Sequence, residues 1–178
     1  MADVDATLLA ALLRESMRKG QQPQLTIDSN SMAPLLQIGD QIILASVTLE
    51  QLQPGDLLTV TTEPYLLTHR YWRQWPHADT VYLLTRGDRP LWFDRPWPAD
   101  CLLGRVVARQ RQGKILSFRQ GWGKWLNDKL TSLATLETHW FGIHPERPAP
   151  SPTYASFLKR RFVWLWAKLL TGFVDNIN

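Results

Sequence analysis

The sequence is poor in the residues that staple, anchor or metallate a small protein. It holds one cysteine, Cys101, so no disulfide forms within the chain, and a lone thiol of this kind packs as a small hydrophobe. No apolar run reaches the roughly 20 residues that a bilayer span needs. Residues 6–17 (ATLLAALLRESM) are apolar only briefly, follow Asp3 and Asp5 and lack a basic leader. They predict an amphipathic helix ending near Gly20 and not a secretory signal, so a cytoplasmic location, at most peripheral to a membrane, is expected. His139 and His144 stand apart from any carboxylate or cysteine cluster, and His77 falls in an exposed Trp75-Pro76-His77 turn. No metal or cofactor is expected. Lysine is missing from the centre of the chain: after Lys19 the next is Lys114. No internal repeat or low-complexity tract occurs.

What is present is a globular composition, 44% hydrophobic and 20% charged over 178 residues. That length fits one domain with a real core and a small appendage. The net charge of +4 is modest. Arg105, Arg109, Arg111, Lys114, Arg119, Lys124 and Lys159-Arg160-Arg161 put many of the positive residues after position 100. This reads as a solvated basic face, and no nucleic acid partner is expected.

Residues 23–28, 41–46, 57–62, 65–72, 80–86, 101–108 and 114–118 read as short strands, separated by the turn signals Gly39-Asp40, Pro54-Gly55-Asp56 and Gly87-Asp88-Arg89-Pro90. Gly104 inside a strand predicts a bulge or a close backbone approach. With no helices between the strands, the pattern predicts a mainly β fold, an antiparallel and partly closed sheet. From Gly121 the period changes: Trp125, Leu126, Leu130, Leu133 and Leu136 predict a helix over 122–140. A proline-rich linker at 145–152 and a second helix over 153–174 follow. The expected organisation is an N-terminal helix (1–20), a β catalytic domain (21–120) and a helical C-terminal extension (121–178).

The stretch SNSMAPLLQIGDQIIL, residues 29–44, stands out from this background. Pro34 fixes its own φ and pushes Ala33 out of the helical region, so the chain after Ser31 is stiff. A hydroxyl on so rigid a connection sits where a nucleophile could be, although an ordinary loop serine only caps or bonds locally.

Ser31-Met32-Ala33-Pro34, then Gly39-Asp40, Gly55-Asp56, His69-Arg70, Gly87-Asp88 and Leu103-Gly104-Arg105-Val106 resemble, in that order, the boxes of type I signal peptidases. The resemblance covers about residues 23–108; each box is weak alone and the ordered set is specific. Bacterial members use the lysine of a Lys-Arg pair as base, and here His69-Arg70 stands at that place. This is similar to the archaeal type and to the catalytic subunit of the endoplasmic-reticulum complex, where serine and histidine work with an aspartate. The resemblance implies the signal-peptidase type of β-body, a serine endopeptidase and cleavage after small residues of a leader or precursor peptide. It departs from the family in lacking a spanning helix ahead of the serine.

Physical chemistry gives the same roles. A serine hydroxyl needs a neighbouring base, histidine can take and return the proton, and a carboxylate fixes the imidazole tautomer. A lone histidine on an apolar strand is ordinarily a packed core residue; the serine box upstream makes His69 a candidate base. Two aspartates compete for the third role. Asp94 matches the family position, whereas Asp88 lies in the Gly-Asp turn and is the reserve. The resemblance also implies an oxyanion hole from the Ser31 N–H and the Ser29 hydroxyl.

Trp72, Trp75, Trp92 and Trp97 flank the base and acid and are expected to line a substrate cleft. In the last helix Leu158, Phe162, Leu165, Trp166, Leu169 and Phe173 share a face, with Lys159, Arg160, Arg161 and Lys168 beside it. Residues 153–174 therefore suit either peripheral membrane contact or packing on the body or a partner. The rival function is a peptide-binding module without turnover. A self-cleaving transcriptional repressor shares the serine box, but needs a lysine base and two helices in its DNA-binding part. Neither is found here.

Overall fold

The computed structural model describes residues 6–77, 80–145 and 154–177. Eight strands form one antiparallel sheet: β1 Gln24–Thr26, β2 Gln41–Ala45, β3 Leu57–Thr61, β4 Leu66–His77, β5 Thr80–Arg86, β6 Trp97–Pro98, β7 Leu102–Arg111 and β8 Lys114–Ser117. Their spatial order is β1-β2-β7-β3-β4-β5-β6, with β8 on β7. The sheet curls into a half-barrel, with helix α1 (Ala6–Arg18) before it and α2 (Gly121–Phe141) and α3 (Tyr154–Ile177) after it. The proline-rich linker lies almost wholly outside the described residues, as do the first five positions.

The curl has a readable cause at Gly104. The β3–β7 register slips there, Thr59 opposing Gly104 and Val60 opposing Leu102. A Cβ at Gly104 would sit 3.0 Å from the Ala45 carbonyl oxygen and 3.1 Å from Met17 Sδ. Position 104 thus marks both a bulge and a close approach, and both bend the sheet around α1.

The core sits between this concave sheet and the helices. Ala10, Leu13 and Met17 of α1, Met32, Leu35 and Leu36 of the serine segment, Ile42 and Leu44 of β2, and Leu126 and Leu130 of α2 form one buried cluster. The segment after Ser31 is therefore anchored by three core side chains, which is why a stretch of turns holds a fixed shape. Truncating a fully buried leucine such as Leu36 to alanine costs about 2–5 kcal/mol.

Helix α2 packs closely on the end of β8. A Cβ on Gly123 would lie 2.1 Å from the Ser117 carbonyl oxygen, so only glycine lets α2 meet the end of β8. Gly142 closes the helix at φ 57°, its N–H donating to the carbonyls of His139 and Thr138.

The arginines of β7 are not a solvated basic face. Arg105 pairs with Asp56, Arg109 with Asp175, and Arg111 with both Asp40 and Asp175. These pairs tie β7 to the turn before β2, to the turn before β3 and to the end of α3. Among the described residues no helix is long and apolar enough to cross a membrane.

Candidate active site

Strand β4 carries His69 and Arg70 in succession, so their side chains leave opposite faces of the sheet. His69 opposes Leu58 and Arg70 opposes Leu57 on β3, and Arg70 opposes Arg86 on β5. Both side chains are buried.

On one face, His69 Nδ1 lies 2.6 Å from Asp94 Oδ2. The chain after β5 returns to make this contact, and Thr85 holds it: the Asp94 N–H donates to the Thr85 carbonyl at 2.9 Å. The Thr85 hydroxyl donates to Asp94 Oδ2 at 2.6 Å, and Trp97 Nε1–H donates to Thr85 Oγ1 at 3.0 Å. A carboxylate can only accept, so Nδ1 carries a proton, and in the neutral imidazole Nε2 then presents its lone pair. That Nε2 is buried and has no hydrogen-bond partner among the described residues.

On the other face, Arg70 takes Asp88. Its Nε and Nη2 donate to Asp88 Oδ1 and Oδ2, each at 2.8 Å, and Nη1 reaches Gly55 O, Asn127 Oδ1 and Thr131 Oγ1. Asp88, the second carboxylate considered for His69, therefore faces the guanidinium and not the imidazole. A buried cation holds a carboxylate bidentately more strongly than a neutral ring can.

Gly87 separates the two arrangements. A Cβ there would stand 3.0 Å from His69 Nε2, 3.0 Å from the Ser31 carbonyl oxygen and 2.7 Å from Pro90 Cδ. The serine segment and the imidazole thus meet across a position with no room for a side chain. The Ser31 carbonyl accepts the Arg89 N–H at 2.9 Å, and the Arg89 carbonyl accepts Arg160 Nη2 of α3 at 2.6 Å. Ser31 Oγ lies 3.3 Å from Ser29 Oγ. Among the described residues no acceptor takes the Ser31 N–H. Ser29 is exposed and Ser31 half-buried.

A groove of about 250 Å³ opens beside Ser29 and Ser31, walled by Leu25, Ile27, Met32, Ile42, Leu66 and Thr68. Its two sides are strand edges. Among the described residues β1 pairs with β2 alone, and β4 pairs with β5 only from Arg70 onward, which leaves the 66–69 edge open to them. The four tryptophans expected along a cleft do not line this groove. Trp72 packs edge-on against Phe93 at 5.2 Å and carries Arg86 on its ring; Trp97 holds Thr85; Trp75 lies under Arg73; Trp92 is exposed. They stand on β4 beyond Arg70 and on the 92–97 stretch, whereas the groove is bordered by residues 64–68.

Thr85, Gly87, Arg89 and the α2 pair Asn127 and Thr131 border these groups; the sequence marks Gly87 as part of a Gly-Asp box and Arg89 as part of the turn that follows, and carries no functional signal for the other three. The described residues bring together no metal-binding cluster of His, Cys, Asp and Glu. Comparison with protein-family models gives no match, and no curated protein matches the chain.

Proposed function

We propose that this chain is a serine endopeptidase resembling type I signal peptidases, with Ser31 as nucleophile, His69 as base and Asp94 as its orienting carboxylate. One observation carries the reading: His69 is fixed by Asp94 at 2.6 Å while its buried Nε2 faces the Ser31 segment across Gly87. An imidazole held in this tautomer can accept the Ser31 hydroxyl proton as Oγ adds to a peptide carbonyl. The Asp94 carboxylate then stabilises the imidazolium, which returns the proton to the departing amine. The Ser31 N–H and Ser29 hydroxyl are the donors for the oxyanion. Water hydrolyses the resulting ester by the same proton route.

The substrate in this proposal is an extended leader or precursor peptide, laid between the open edges of β1 and β4 with its small side chains toward Leu25, Met32 and Leu66. A cytoplasmic site of action suits the single free thiol.

The rival reading, a peptide-binding module without turnover, draws on the Ser31 hydroxyl, which contacts Ser29 and makes no hydrogen bond to His69. A fluorophosphonate probe separates the two. The peptidase reading expects covalent labelling that maps to Ser31 and is lost in Ser31→Ala and in His69→Ala. Unlabelled native chain that still binds extended peptides would establish the module instead.

A further inference from the structure

Helix α3 has three faces, and the described residues account for two of them. Val163, Ala167, Thr171 and Val174 are buried against the body. Arg160 and Asp175 reach back to Arg89, Arg109 and Arg111. The third face carries Phe162, Leu165, Trp166, Leu169, Phe173 and Ile177, each between 45% and 57% exposed. At helical spacing these six fall in one stripe about 120° wide. The stripe continues onto α2, where Phe173 meets Trp122 edge-on at 6.0 Å and Trp122 meets Trp125 at 5.7 Å. Trp122, Leu136 and Trp140 of α2 are exposed as well. A soluble monomer rarely leaves so many large apolar side chains together in water.

We propose that this α2–α3 face seats on an anionic lipid bilayer, lying in the interface parallel to its plane. Charge selects the occupant. Lys159, Arg161 and Lys168 are exposed on α3, and Lys129 of α2 stands over the Trp125 ring at 6.0 Å. The one acid of α3, Asp175, is held by Arg109 and Arg111, and Asp128 of α2 is held by Lys124. Free positive charge therefore borders the apolar stripe with no free negative charge beside it on α3. Acidic headgroups complement such a border, whereas a second copy of the chain would set two like-charged rows against each other. The indole rings suit the headgroup boundary, where a ring with an apolar body and a polar N–H is favoured. Lysine and arginine stems are long enough to keep their charges in the headgroup layer while the stripe goes deeper.

The proposal stands apart from the peptidase reading, and Ser31→Ala is expected to bind lipid as the native chain does. The test is sedimentation of the full chain with vesicles of phosphatidylcholine alone and of phosphatidylcholine with phosphatidylserine at three to one. The native chain is expected to pellet with the mixed vesicles, to bind phosphatidylcholine alone several-fold more weakly, and to be released by high salt. Leu165→Glu with Leu169→Glu, at exposed positions where circular dichroism should show an intact fold, should reduce the bound fraction at least tenfold. Lys159→Glu with Lys168→Glu keeps the stripe and should abolish the preference for phosphatidylserine. Native chain that stays in the supernatant with both vesicles, or binding unchanged by either double variant, overturns the proposal. So does a dimer in equilibrium sedimentation that Leu165→Glu with Leu169→Glu converts to monomer, since that result assigns the face to a second copy.

Discussion

His69 and Arg70 are consecutive on β4 and take different aspartates on opposite faces of the sheet. His69 meets Asp94 at 2.6 Å, and Arg70 clasps Asp88 with two bonds of 2.8 Å. The two carboxylates come from one short connection after β5, so a single loop serves the imidazole on one face and the guanidinium on the other.

That division gives opposite signatures for two isosteric substitutions. Asp94→Asn should keep the fold and, by favouring the wrong imidazole tautomer, lower kcat by about 10⁴. Asp88→Asn should instead leave the Arg70 guanidinium without its counter-charge in a buried setting and lower stability by about 3 kcal/mol. Urea unfolding and single-turnover peptide cleavage, run on both variants, distinguish them. Catalytic collapse at Asp88 with a stable fold would transfer the carboxylate role to it.

Gly87→Ala places a methyl where His69 Nε2, the Ser31 carbonyl and Pro90 Cδ already converge within 3.0 Å. Overpacking of this kind costs about 1–3 kcal/mol. Because the wedge falls between the base and the serine segment, fluorophosphonate labelling should slow by more than the thermal midpoint falls. A drop in midpoint with normal labelling would place the strain elsewhere.

For the oxyanion, Ser29→Ala should reduce kcat about 10²–10³-fold with little change in KM, as loss of one donor does. Ser29 is exposed, so its stability should shift by less than about 0.5 kcal/mol. An equal rise in KM would mark Ser29 as a binding contact for the substrate itself.

Burial, and after it the charge of Asp100, pushes the Cys101 thiol above its ordinary value. The thiolate is therefore scarce in the folded chain, and iodoacetamide should alkylate Cys101 more slowly at mildly alkaline pH than it alkylates a free peptide thiol. Urea should remove the difference. Equal rates in the folded chain would show that the cysteine is open to water.

Much of the scaffold was legible because it rests on local signals. The turn glycines and the period change at Gly121 each report on neighbours close in sequence, and Gly104 shows as a lone glycine inside a strand even though the groups it makes room for, Ala45 and Met17, are distant. Strand β4 was read only to residue 72 because Pro76 and the polar Arg73-Gln74 argue against a continuing strand, yet the β4–β5 ladder carries it to His77. β6 is two residues long and leaves no periodic trace, although it delivers Trp97 to Thr85. Long-range partners were invisible for a physical reason. Arg105, Arg109 and Arg111 look like surface charge until β7 sets them beside acids up to 71 residues away. The pairing of Arg70 with Asn127 and Thr131 of α2 depends likewise on how the helix folds back, which no spacing in the sequence encodes.

The hydrogen bonds from Arg160 to the Arg89 carbonyl, and from the Arg89 N–H to the Ser31 carbonyl, form a mechanical linkage in series. Through it α3 is tied to the turn that carries Ser31. A shortened protein ending before residue 154 would retain Ser31, His69 and Asp94 and still lose the Arg160 contact that backs Arg89. The proposed catalytic unit is therefore longer than the stretch from Ser31 to Asp94, and force applied to α3 has a two-bond path to the Ser31 carbonyl.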